Sequence, residues 1–134
     1  MKALAYAAAA LLGGTLRNAQ PVHGGCLSQI VRITLGDGRE AIVKGGGAPR
    51  IEAAMLRAIA ASGAPAPQVF AEADGILVME AMPANGSLAN AWASLGKSLA
   101  TLHAATGNAC GCADDYAFST VAIESGWMKS WPSF

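Results

Sequence analysis

Four short segments carry groups suited to gripping a polyphosphate, and they follow one another in a single order along the chain. The first is His23-Gly24-Gly25-Cys26-Leu27-Ser28, a glycine-bearing link between two strand-like stretches. Glycine backbone can approach phosphate oxygens closely, and backbone N–H groups together with the Ser28 hydroxyl can bind them. The second is Ala41-Ile42-Val43-Lys44, an apolar run that ends in a cation able to hold phosphates. Glu52 is the third; it falls in the first turn of a helix, where its carboxylate can pair with the Lys44 ammonium and hold it in place. The fourth is Leu77-Val78-Met79-Glu80-Ala81-Met82, an apolar strand running into a linker. Its exposed backbone could hydrogen-bond the edge of an adenine. Each segment also has a plainer reading. A glycine pair makes a turn, a strand-end lysine is solvated, a first-turn glutamate suits the helix dipole, and an apolar strand belongs to a core. Their joint order is more specific than any one of them.

The elements that must position these groups can be read from periodicity. After Met1-Lys2, the apolar run of residues 3–14 is too short to span a bilayer, which takes about 20 residues. It reads either as a short secretory signal or as an Ala- and Leu-rich helix stopped by Gly13-Gly14. No small-x-small cleavage site follows before the strand pattern, so a helix is expected. Residues 15–22 and 27–35 then form two strands, with Leu27, Val31, Ile33 and Leu35 near one face of the second. Gly36-Asp37-Gly38 is a hairpin signal, and residues 40–44 return as a third strand. Pro49 opens a helix over 50–62, with Ile51, Met55, Leu56 and Ile59 at helical spacing and Gly63 as its stop. Strands over 68–73 and 76–81 meet around Asp74-Gly75. Past the break at 82–86, Ser87 is the expected N-cap of a long helix reaching Ala105, with Leu88, Trp92, Leu95, Leu99 and Leu102 apolar. Residues 107–134 lack periodicity and read as loop with short helical turns.

The 134 residues fit one domain. They are 53% hydrophobic and 13% charged, against a usual charged share of about 25%. Such a composition suits a piece whose apolar face has a cover elsewhere. Formal net charge is zero, so nothing electrostatic points to nucleic acid or to an anionic membrane. Cys26, Cys110 and Cys112 lack metal-site spacing, and Cys110-Gly-Cys112 is not a C-x-x-C motif, so no metal site is expected. A reducing cytoplasm is the simplest home for these thiols. Cys26, in the glycine loop, is either a redox-active thiol or an inert small residue. Trp92, Trp127 and Trp131 are expected to serve core or interface packing.

These segments resemble the opening of fructosamine (ketosamine) kinases, a family related to aminoglycoside phosphotransferases with a protein-kinase-like fold. The resemblance is carried by residues 23–28, by Asp37-Gly38-Arg39 through Val43-Lys44, by residues 52–60, and by Val78-Met79-Glu80. It continues through Leu95-Gly96-Lys97-Ser98-Leu99-Ala100-Thr101-Leu102-His103, which is similar to the family's L-G-x-x-L-A-x-L-H helix, and through Tyr116-Ala117-Phe118, Trp127, Trp131 and Phe134. It implies an α+β fold. Residues 1–82 would form the nucleotide-binding lobe, a five-stranded antiparallel sheet with one packed helix. Residues 83–134 would be a linker and the start of a second lobe. It also implies roles. Gly24, Gly25 and Ser28 would line the phosphate loop, Lys44 would contact ATP phosphates with Glu52 as its partner, and backbone at Glu80 and Met82 would meet adenine. ATP and Mg2+ are the implied cofactors, and a ketosamine or glycated amine is the implied acceptor.

The chain departs from the family at the transfer step. The family's catalytic loop reads H-G-D-x-x-x-x-N, with a later aspartate for magnesium. Here His23 and His103 are the two histidines, and neither precedes an aspartate at that spacing. Asp37 and Asp74 sit in turns, and Asp114 and Asp115 in the irregular segment. No catalytic residue is therefore assigned. The chain is expected to be a truncated part, inactive alone and prone to self-association through Trp92, Leu95 and Leu99. The alternatives are a non-catalytic binding module of kinase ancestry and a small exported protein.

Overall fold

The computed structural model describes residues 1–22, 28–83, 85–118 and 121–130. It opens with helix α1 (Lys2–Leu11) and strands β1 (Leu16–Pro21), β2 (Gln29–Leu35) and β3 (Glu40–Gly45). Helix α2 (Pro49–Ala61), strands β4 (Val69–Ala73) and β5 (Ile76–Met79), helix α3 (Trp92–Ala104), and short strands β6 (Tyr116–Phe118) and β7 (Val121–Ile123) follow. The first five strands form one sheet in the order β1-β2-β3-β5-β4, and every neighbouring pair is antiparallel.

Strand alternation sorts the sheet into two faces. Val31, Ile33 and Leu35 of β2, Ala41 and Val43 of β3, and Val78 of β5 share one face and are fully buried. Helix α1 covers it, and Ala5, Ala8 and Ala9 join the same core. Their i, i+3, i+4 spacing makes one narrow apolar stripe. The small side chains let the helix lie close to the strands. A Cβ at Gly45 would come within 2.7 Å of Leu4 Cδ2. The apolar run at the start of the chain is thus used as a packed helix. Among the described residues, no helix is long and apolar enough to cross a membrane.

The opposite face carries Ile30, Arg32, Ile42, Lys44, Leu77 and Met79 by register. Helix α2 rests against β4 and β5. Pro49 opens it, and Gly63, at φ +86°, terminates it in the left-handed region that glycine adopts without strain. Its fully buried contact is Ala53, whereas Ile51, Met55, Leu56 and Ile59 are half-buried. Arg57 ties α2 to β4, with its guanidinium 3.0 Å from Glu72 Oε2.

Three expectations from the sequence are corrected. Ser87 does not cap the long helix. Residues Leu88–Asn90 close a 3-10 turn first, and Ala91 at φ −111°, ψ 0° separates that turn from α3. Among the described residues of 107–130, loop prevails as expected, but the short helical turns do not form. β6 and β7 pair as a hairpin, Cys110 and Met128 form a bridge, and Ser125 is buried. Strands of three residues are too short to show alternation in a sequence. Finally, Trp92 and Trp127 are each 62% exposed, which removes the core half of the core-or-interface expectation and leaves the interface half, while Trp131 lies outside the described residues.

Candidate functional site

Lys44 sits near the end of β3, in register with Ile30 of β2 on one side and Leu77 of β5 on the other. That register sends its side chain to the face opposite α1. Chain reversal through Gly45-Gly46-Gly47 then brings α2 back so that its first turn meets the same lysine. Gly46 and Gly47 have φ of +86° and +71°, which only glycine adopts readily. The Lys44 ammonium donates to Glu52 Oε2 at 2.5 Å, and the two side chains are 23% and 13% exposed. Salt screens a half-covered pair of this kind less than a surface pair.

The second oxygen of the same carboxylate is also engaged. Tyr116, on β6, donates its phenol O–H to Glu52 Oε1 at 2.9 Å. Burial, and then the hydrogen bond to Glu52 with its negative charge, push the Tyr116 phenol above its ordinary value. Gly47 stands against the same oxygen, and a Cβ there would lie 2.8 Å from Oε1. Both carboxylate oxygens are therefore held, one by a cation and one by a phenol, with a glycine giving the space. A second contact joins the same two regions, where Arg50 of α2 lies 3.3 Å from Asp114 Oδ1.

The other predicted site residues fall as follows. Gly24, Gly25 and Cys26 lie outside the described residues, as do His23 and Leu27. Ser28 is half-buried at the entry to β2. The Val22 N–H donates to Ile30 O at 3.0 Å, at the β2 residue that is in register with Lys44. Glu80 is tied into the sheet. Its N–H donates to Gln68 O at 2.8 Å, and its carboxylate accepts the Gln68 N–H at 3.1 Å, so it stitches the end of β5 to the start of β4. Met82 follows, 47% exposed, beyond the sheet. The structure thus unites Lys44 and Glu52 and sets Glu80 and Met82 at the strand end leading out of the sheet.

The aspartates hold structural posts. Arg39 donates to Asp37 through its backbone N–H and its guanidinium, and these bonds, the backbone one first, keep that exposed carboxyl below its usual range. Asp115 Oδ1 accepts the Ser125 N–H at 2.7 Å. Among the described residues, no three His, Cys, Asp or Glu side chains gather as a metal site. Sequence reasoning missed Tyr116 as a site residue. Its partner is 64 positions away, and nothing short of the fold brings them together.

Comparison with known proteins agrees with this fold. The family model for fructosamine kinase matches residues 4–134. A candidate fructosamine-3-kinase from Thermobifida fusca YX-ER1 superposes with a TM-score of 0.83 at 25% identity, covering 100% of this chain and 50% of that one. A candidate fructosamine-3-kinase from Haemophilus somnus 129PT superposes with a TM-score of 0.76 at 20% identity, over 94% of this chain and 47% of that one, and so speaks for the fold alone. The chain spans about half the length of these neighbours, 50% and 47%. No curated protein matches it. On the family match, which takes in nearly all of its residues, the chain belongs to the fructosamine kinase family.

Proposed function

We propose that this chain supplies the nucleotide-gripping lobe of an ATP-dependent kinase that phosphorylates ketosamines. The observation that supports the reading most is the Lys44–Glu52 pair, formed across strand and helix on a kinase-like sheet. An ammonium clamped by a carboxylate is held ready for phosphate oxygens without the entropy loss of ordering a free lysine. In this reading Gly24, Gly25 and Ser28 wrap the triphosphate from above. Lys44 neutralises phosphate charge, Glu52 holds Lys44, and backbone at Glu80 and Met82 reads the adenine edge. The lobe occupies residues 1–82, and residues 83–134 are the linker and the start of a second lobe.

For magnesium, which the family implies, no ligand is assigned; among the described residues no three His, Cys, Asp or Glu side chains gather. The sequence holds no H-G-D-x-x-x-x-N pattern either. Base and metal ligands therefore are not assigned to this chain, and no transfer step is routed through it. Its task is to bind and orient the nucleotide. The same lack of a base favours, as a second reading, a binding module of kinase ancestry. Turnover of ketosamine by the isolated chain would exclude that reading.

Thermal unfolding with and without ATP tests the proposal. ATP is expected to raise the unfolding midpoint of the wild-type chain, and Lys44→Ala is expected to abolish that rise. An equal rise in the variant would place the nucleotide elsewhere.

A further inference from the structure

We propose that Tyr116 is a positioning residue for Lys44. Its phenol and the lysine ammonium each take one oxygen of the Glu52 carboxylate, so the β6–β7 hairpin sets the geometry of the ion pair on the sheet. The inference rests on reading Lys44 as the phosphate-holding group. A carboxylate pinned at one oxygen can still rotate about its last side-chain bond and swing its partner. Pinned at both, by Lys44 Nζ at 2.5 Å and the Tyr116 hydroxyl at 2.9 Å, it has one orientation.

The element that carries Tyr116 is itself well tied. Cys110 and Met128 exchange backbone bonds of 2.8 and 2.7 Å. The Cys112 N–H donates to Ser125 O at 2.6 Å, and the Ser125 N–H donates to Asp115 at 2.7 Å, one residue before Tyr116. Arg50 and Asp114 add a second tie to α2, close to Glu52 in sequence and exposed, so it steers docking more than it fixes the carboxylate. With Glu52 13% exposed, little water can replace the phenol if it is removed.

Amine labelling of the lysines, followed by mass spectrometry, tests the proposal without nucleotide. Lys44 is compared with Lys2, Lys97 and Lys129 in the wild type, Tyr116→Phe, Glu52→Gln and the double variant. Tyr116→Phe is expected to speed labelling of Lys44 roughly three- to tenfold, the size of one net hydrogen bond. The other lysines are expected to keep their rates. In the Glu52→Gln background, Tyr116→Phe should add nothing. Unchanged labelling of Lys44, equal acceleration at all four lysines, or a full additional effect in the double variant would each overturn it. A parallel titration with ATP separates this inference from the functional reading. Wild-type chain that binds no ATP sinks the phosphate-holding role, while labelling still decides whether Tyr116 sets the lysine. If ATP binds, Tyr116→Phe should weaken it by a similar factor, beyond the small loss of midpoint that one missing hydrogen bond brings. A loss of midpoint with no change in affinity would mark Tyr116 as merely structural.

Discussion

Glu52 is held from three directions, by the Lys44 ammonium, by the Tyr116 phenol and by the bare backbone of Gly47. The glycine is the least replaceable of the three. Its φ of +71° disfavours any side chain, and a Cβ would stand 2.8 Å from the carboxylate oxygen. Gly47→Ala should destabilise the fold by about 1–2 kcal/mol from the backbone alone. It should also displace Glu52, and urea unfolding together with Lys44 labelling would register both. Gly38, also at positive φ but with open space around it, is the control that should cost backbone strain without touching the pair. The phenol gives a pH signature. Because the folded state holds Tyr116 protonated above its ordinary value, its contribution is complete below about pH 10 and declines as pH climbs through the raised folded value. Urea unfolding across that alkaline range should show stability falling with pH in the wild type and a flatter dependence in Tyr116→Phe.

At the scale of elements, α1 owes its place to alanines. Ala5 and Ala8 are fully buried and Ala9 nearly so, against the β2–β3 face. Ala8→Leu would overfill that contact and should destabilise by about 1–3 kcal/mol in chemical denaturation. The same change at Ala7, which is exposed, should be close to neutral. The strands were legible because their signals were local. Val31, Ile33 and Leu35 alternate cleanly, and Asp37-Gly38 and Asp74-Gly75 mark two-strand returns in the sequence itself. The Lys44–Glu52 pair was legible for a related reason. A strand-end lysine followed by a tight glycine turn and a first-turn glutamate leaves little freedom in where the two groups meet. The β6–β7 hairpin was not legible, because three-residue strands carry no periodicity. The Ser87 cap failed because a 3-10 turn competes for the same backbone. In the sequence Tyr116 stands only as part of an aromatic segment, since its hydroxyl acquires meaning only once the chain has folded back onto α2.

Over the whole molecule, the low charge content appears as apolar surface on α3. Trp92, Leu95 and Leu99 are 62%, 39% and 45% exposed, and no residue of that helix is buried. The isolated 134-residue chain should therefore self-associate. Trp92→Lys combined with Leu99→Glu should shift it towards monomer in size-exclusion chromatography. A wild-type chain that runs as a monomer at high concentration would contradict that expectation. Nucleotide is proposed to sit on the face opposite α1, beside the Lys44–Glu52 pair. Mapping of backbone and side-chain NMR signals during ATP titration tests it most directly. Shifts should concentrate at Ser28, Lys44, Glu52, Glu80 and Met82 and vanish in Lys44→Ala. Shifts confined to residues elsewhere, such as the β6–β7 strands or the exposed face of α3, would contradict it.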